Sequence, residues 1–232
     1  MSMKRRLKYY AQFLKSVVTL NRRLLVGMWQ LTKLSQPAVT IFGGSRVELE
    51  GPVARQAAEL AKALAEKGYS IITGGGPGIM EAANFGAYAY LKERRQKAAP
   101  DYDLVVSGAV GLVHLNKERV NPYVQTSVIM DHFFSRKWLL VRYSSAFVVF
   151  PGGFGTLDEF FEVLTLAQTD KMPRYPIILL NSAYWKPLLE WINHKALPQG
   201  FIDAGDEKLF FVVDEICVAV EIIQRYHGQL KS

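Results

Sequence analysis

The chain has a single cysteine, Cys217, so no internal disulfide can form and the fold must hold by packing. Cys217 falls in an apolar helical pattern and is expected in the core, which points to a reducing, cytoplasmic setting. No uncharged apolar run approaches the length of a membrane span. Val17-Val18-Thr19-Leu20 is too short for the apolar region of a secretory signal before Arg22 intervenes. The four histidines, His114, His132, His194 and His227, show no ligand spacing, which argues against a metal site. Neither G-x-x-x-x-G-K-[ST] nor G-x-S-x-G occurs, which excludes a Walker loop and a serine-hydrolase elbow. Acid is missing from residues 1–36, which hold eight basic side chains: Lys4, Arg5, Arg6, Lys8, Lys15, Arg22, Arg23 and Lys33. The net charge of +7 less these eight leaves residues 37–232 at −1. The basic character therefore belongs to an arm, and a nucleic-acid-binding body is not expected.

In that arm Leu7, Tyr10, Phe13, Leu14, Val17, Leu20, Leu24 and Met28 recur at roughly helical spacing. Residues 1–36 are read as a basic amphipathic helix or pair of helices, separate from a domain at 37–232. Three uses are open: packing on the body or a partner subunit, lying on a membrane surface, or serving as a cleaved targeting segment. Beyond Pro37 strands and helices alternate. Strands are expected at Ala38–Phe42, Tyr69–Thr73, Leu104–Ser107, Ser127–Met130, 146–150, Pro176–Leu180 and Phe210–Val213, with a short extended piece at Val113–Leu115 and a loop over 116–125. Helices are expected at 52–67, stopped by Gly68, and at 79–91, Phe133–Tyr143, 156–168, Tyr184–His194 and 214–226. Asp214 is read as the cap of the last helix, which stops near Gly228. The helix at 79–91 is apolar on almost every side and is expected to be buried, with Glu81 and Asn84 as exceptions that need a reason. Uniformly apolar strands alternating with helices predict an α/β fold: a mainly parallel sheet covered by helices on both faces. Right-handed crossovers then gather the loops after the strands on one edge.

Two glycine turns fall on that edge, Gly74-Gly75-Gly76-Pro77-Gly78 and Pro151-Gly152-Gly153-Phe154-Gly155-Thr156. Missing Cβ atoms let a ligand approach the backbone, and a helix start supplies free N–H groups and a positive dipole end. Thr156 with Glu159 reads as a T-x-x-E capping box, and a purely structural turn is the plainer alternative. Neither turn is a dinucleotide fingerprint, since Asp158 occupies the third glycine position after Gly153 and Gly155. One phosphate held by two loops is the reading, with Gly74, Gly75, Gly76, Gly152, Gly153, Gly155 and Thr156 as candidate contacts. Ser45, in the Gly43–Arg46 loop of the same edge, is a further binding candidate. Glu159 is the candidate catalytic carboxylate and Arg136 its natural counter-charge.

Together with Ser135-Arg136-Lys137, these two turns resemble the LONELY GUY (LOG) family, long mislabelled as lysine decarboxylases. The resemblance covers roughly residues 37–225 and rests above all on PGGxGTxxE. It implies a Rossmann-like fold, a homodimer, and cytokinin riboside 5′-monophosphate phosphoribohydrolase activity, which releases a free base and ribose 5-phosphate from an AMP-type nucleotide. It implies Arg136 and Glu159 as the catalytic pair, and Lys137 and Gly153 to Glu159 as nucleotide contacts. It also places Glu118, eighteen residues before Arg136, as a substrate-binding glutamate. The arm, the 92–103 segment and Asp158, where many members have Glu, depart from the pattern. The chemistry agrees: a carboxylate beside an oxocarbenium-like sugar stabilises positive charge or activates water. Arg136 could bind phosphate or the leaving base. No cofactor is expected, and no lysine stands out as a Schiff-base candidate for a pyridoxal enzyme. A non-catalytic carrier of a phosphorylated cofactor, such as the molybdenum-cofactor carriers, is the competing reading.

Overall fold

The computed structural model describes residues 3–34, 37–96, 105–112 and 120–229. A long helix α1 (Met3–Leu31) precedes β1 (Ala38–Phe42), α2 (Pro52–Glu66), β2 (Ser70–Thr73), α3 (Ile79–Gln96), β3 (Ser107–Leu112), β4 (Thr126–Met130), α4 (Phe133–Arg142), β5 (Ala146–Val149), α5 (Phe154–Gln168), β6 (Ile177–Leu180), α6 (Ser182–Trp191), β7 (Phe211–Val213) and α7 (Ile216–Gln229). The seven strands form one sheet in the order β4-β3-β2-β1-β5-β6-β7. Every neighbouring pair is parallel. This is a Rossmann-like α/β fold.

Strands β1, β2, β5 and β6 are buried along their whole length because both faces of the sheet are covered there, whereas the edge strand β4 alternates buried and exposed residues. On one face Val39, Ile41, Ile71, Val148 and Ile178 pack with Leu60 and Leu64 of α2, Ile79 and Leu91 of α3, and Ile223 of α7. On the other, Phe42, Ile72, Val110, Phe147 and Leu179 pack with Leu31 of α1, Leu139 of α4, Phe160 of α5 and Trp185 of α6. Fully burying one such side chain contributes about 1.5–3 kcal/mol, so alternate residues of each strand stabilise opposite layers. The sequence of β1 carries both layers within five residues. Successive strands are added outward to one side from β1 and to the other from β5, so the loops after these two central strands flank the crevice where open α/β sheets bind ligands.

Several local expectations need correction. The third strand begins at Ser107 and runs to Leu112, rather than spanning Leu104–Ser107. The piece expected at Val113–Leu115 lies outside the described residues. Helix α3 exposes Phe85 and Tyr88, which meet Tyr123, so it is not buried all round. Asp214 does not cap α7. Its carboxylate accepts from the Ser182 backbone N–H at 2.7 Å and from the Ser182 hydroxyl at 2.8 Å, at the start of α6. These bonds hold its carboxyl below the usual range. Cys217 is exposed, because α7 turns Ala219, Val220 and Ile223 toward the sheet. The helix expected to end at His194 gives way after Trp191 to a wider helical turn, Ile192–Ala196.

Candidate active site

Three loops at the C-terminal ends of the central strands are stitched together. Gly44 donates its N–H to the Pro151 carbonyl at 3.0 Å, and Ile79 donates to the Gly44 carbonyl at 3.1 Å. The β1 loop thus lies between the two glycine turns and brings them to one small region. Close approach explains the glycines. A Cβ on Gly78, whose φ is +67°, would meet the Gly44 and Ser45 backbone, and one on Gly74 would meet the Arg136 guanidinium. A Cβ on Gly152 would press on the buried Thr156 side chain and lie 2.9 Å from the Gly44 nitrogen. At Gly153 and Gly155 a Cβ would meet nothing within 4 Å. Those two backbone positions face open space, where a ligand has room.

Helix α5 begins two residues earlier than expected. Gly153 is its extended N-cap, no side chain bonds the first-turn amides, and the first turn holds no acid. The capping box read from Thr156 and Glu159 is therefore not formed. Thr156 lies inside the first turn, buried beneath Gly152. The consequence favours ligand binding: among the described residues the first N–H groups of this 15-residue helix have neither intrahelical nor side-chain partners.

Glu159, freed of capping, pairs with Arg136 at 2.8 Å, with the two side chains only 11% and 13% exposed. Arg136 Nε donates to the Val110 carbonyl of β3 at 3.0 Å, which fixes the guanidinium between β3, the Gly74 turn and α5. Burial pushes the Glu159 carboxyl above the usual range, and the charge and hydrogen bond of Arg136 pull it only part of the way back. Lys137, the next residue of α4, is bound to Asp158 at 2.7 Å and Glu162 at 3.1 Å along the flank of α5. Burial pulls its ammonium down, but these two partners carry it above the usual value. Lys137 thus buttresses α5, while Ser45 is exposed on the β1 loop. Glu118 lies outside the described residues.

Buried polar residues beneath the Gly74–Gly76 turn were only half visible in the sequence. The Asn84 side-chain oxygen accepts from Thr73 at 2.7 Å and from Asn121 at 3.0 Å, while its amide donates to Ser107 at 2.9 Å. Asn121 also donates through its side chain to the Gly75 and Gly76 carbonyls, each at 3.2 Å. Asn84 was conspicuous as a polar residue in an apolar helix, and this network is its reason. Asn121, in an aperiodic loop, gave no signal. Nor did Tyr184, whose hydroxyl donates to the Gly152 carbonyl at 2.5 Å and braces the other turn.

The family model described as "Possible lysine decarboxylase" matches residues 80–223, and the "SLOG cluster4 family" model matches residues 36–92. The chain belongs to the LOG family. A probable cytokinin riboside 5′-monophosphate phosphoribohydrolase of Oryza sativa subsp. japonica, LOGL3, is 28% identical over 83% of this chain and 87% of its own length. The cytokinin riboside 5′-monophosphate phosphoribohydrolase of Rhodococcoides fascians is 36% identical over 41% of this chain and 48% of its own. Among solved structures, the molybdenum cofactor carrier protein of Chlamydomonas reinhardtii superposes with a TM-score of 0.56 at 17% identity, covering 83% of this chain and 99% of that one. That last likeness concerns the fold alone. LOG membership agrees with the Rossmann-like parallel sheet.

Proposed function

We propose that the chain hydrolyses the N-glycosidic bond of adenosine-type nucleoside 5′-monophosphates, cytokinin ribosides among them, to free base and ribose 5-phosphate. The observation that carries this reading is the buried Arg136–Glu159 ion pair beside a helix N-terminus whose first amides have no partner among the described residues. The phosphate would rest on the amides of Gly153 to Thr156, with the Gly74–Gly76 turn and Ser45 closing round it. Binding energy from that remote group positions the ribose over Glu159. As the bond between C1′ and the base nitrogen breaks, its electron pair leaves with the base and C1′ becomes cationic. The Glu159 carboxylate stabilises that charge and accepts a proton from the water that adds to C1′. That proton passes from Glu159 to the departing base, which restores the carboxylate, so nucleotide and water give base and sugar phosphate in balance.

Arg136 keeps Glu159 anionic enough to act despite its burial, and the guanidinium edge toward Gly74 faces the phosphate side of the site. Lys137 acts through α5, by holding Asp158 and Glu162. The homodimer implied by the resemblance belongs to the same proposal. So does the choice of an enzyme over a carrier: a carrier needs the anion cradle but has no use for a carboxylate buried against an arginine. A panel of nucleoside 5′-monophosphates, scored for ribose 5-phosphate beside the matching nucleosides, tests the reading. Turnover of the monophosphates alone is expected, and binding without turnover across the panel would favour the carrier.

A further inference from the structure

Helix α1 is one continuous rod of 29 residues, about 43 Å long at 1.5 Å per residue. Only its C-terminal part is seated on the body. Leu20, Leu24, Met28 and Leu31 pack into the core layer, and Gly27 lies against Leu139 and Val128. Arg23 pairs with Asp131 at 2.7 Å. Toward the N-terminus the same apolar pattern continues with nothing beneath it among the described residues: Met3, Leu7, Tyr10, Phe13, Leu14 and Val18 are each 62–79% exposed. At 100° per residue these six fall within an arc of about 140°. Arg5, Lys8 and Lys15 occupy the opposite side, and Arg6 lies at the edge of the apolar arc, where a long stem can reach outward.

We propose that the projecting half of α1, Met3 to Val18, docks the protein on an anionic lipid bilayer. The helix would lie in the headgroup plane with Leu7, Tyr10, Phe13 and Leu14 inserted. Charge selects this occupant. Residues 1–36 carry eight basic side chains and no acid. A second copy of α1 would set like charges together with no acid from this segment to answer them. An acidic surface answers together the five that lie in the projecting half, Lys4, Arg5, Arg6, Lys8 and Lys15. Nucleic acid would answer the charge but leave the aromatic and aliphatic stripe without a partner. No helix among the described residues is long and apolar enough to cross a membrane, so the attachment is to the surface.

The test is co-sedimentation of the full chain with vesicles of phosphatidylcholine alone and of phosphatidylcholine mixed with phosphatidylserine. Binding is expected only to the mixed vesicles and should weaken with salt. The Arg5→Gln/Lys8→Gln/Lys15→Gln variant should bind about 100-fold more weakly, at roughly a factor of five per cation. Phe13→Ser/Leu14→Ser should lose about 100-fold or more through apolar burial alone. All five side chains are exposed, and none belongs to the core or to the Arg136–Glu159 pair, so folding and turnover should persist in both variants. Equal binding to both vesicle types, or binding unchanged by either variant, would overturn the proposal. So would absence of lipid binding together with an oligomer that Phe13→Ser/Leu14→Ser dissociates, which would assign the stripe to a second copy.

Discussion

Adjacent glycines of the second turn make opposite predictions. At Gly152 an added methyl would strike the Thr156 side chain and lie 2.9 Å from the backbone nitrogen of Gly44. Thr156 is buried, and the Gly44 N–H is committed to Pro151, so neither neighbour can retreat freely. Gly152→Ala should cost about 1–3 kcal/mol, the usual price of overpacking. In a chain of this size that lowers Tm by about 2–4 °C per kcal/mol. At Gly153 the backbone is extended (φ −91°, ψ −154°) and the new methyl would meet nothing within 4 Å. Gly153→Ala should therefore melt with the wild type. Its methyl would occupy the space through which a phosphate reaches the α5 amides. Each charge-assisted bond lost is worth about 1.5–3 kcal/mol, or roughly 10- to 150-fold in affinity. Calorimetric titration with AMP and with adenosine separates the two effects. The reasoning fails if Gly153→Ala weakens adenosine and AMP equally, or if Gly152→Ala is as stable as the wild type.

Arg136→Met should destabilise the fold by about 3–5 kcal/mol, because it leaves Glu159 charged and unpaired in the interior. Adding Glu159→Leu should restore much of the loss in denaturant titration. The raised Glu159 pKa predicts that kcat/KM climbs with pH through a limb above the ordinary glutamate range, read in a pH–rate profile. The linked stability has the matching sign: the folded state binds the proton more tightly, so this contribution is complete below the unfolded pKa and is lost as pH rises through the folded one. Glu159→Gln should abolish that part of the pH dependence. Asn84→Leu should cost several times the about 1–3 kcal/mol of one buried unsatisfied group, since Thr73, Ser107 and Asn121 all lose a partner, and its AMP affinity should fall as the Gly74–Gly76 turn loosens.

The strands were legible because burial on two faces leaves runs such as Ala146 to Val149 uniformly apolar, a pattern that short-range reading detects. The glycine turns were legible for a related reason, since their chemistry lies within nine consecutive residues. Legibility failed where partners are distant in the chain. Asn121 reaches Gly75 across 46 residues, and Asp214 reaches Ser182 across 32. The capping box misled because T-x-x-E fits two geometries. With Gly153 extended and Phe154 opening the helix, Glu159 falls almost two turns inside, where it meets Arg136. Cys217 misled because its helix is apolar on more than one side, and sequence alone does not say which side the sheet takes.

The most direct measurement is side-by-side incubation of wild type and Glu159→Gln with AMP, following adenine and ribose 5-phosphate. The wild type should release the two in equal amounts, and the variant should bind AMP yet turn over about 10²–10⁴-fold more slowly. Wild type that binds AMP without releasing adenine, or a variant that matches it, would contradict the account.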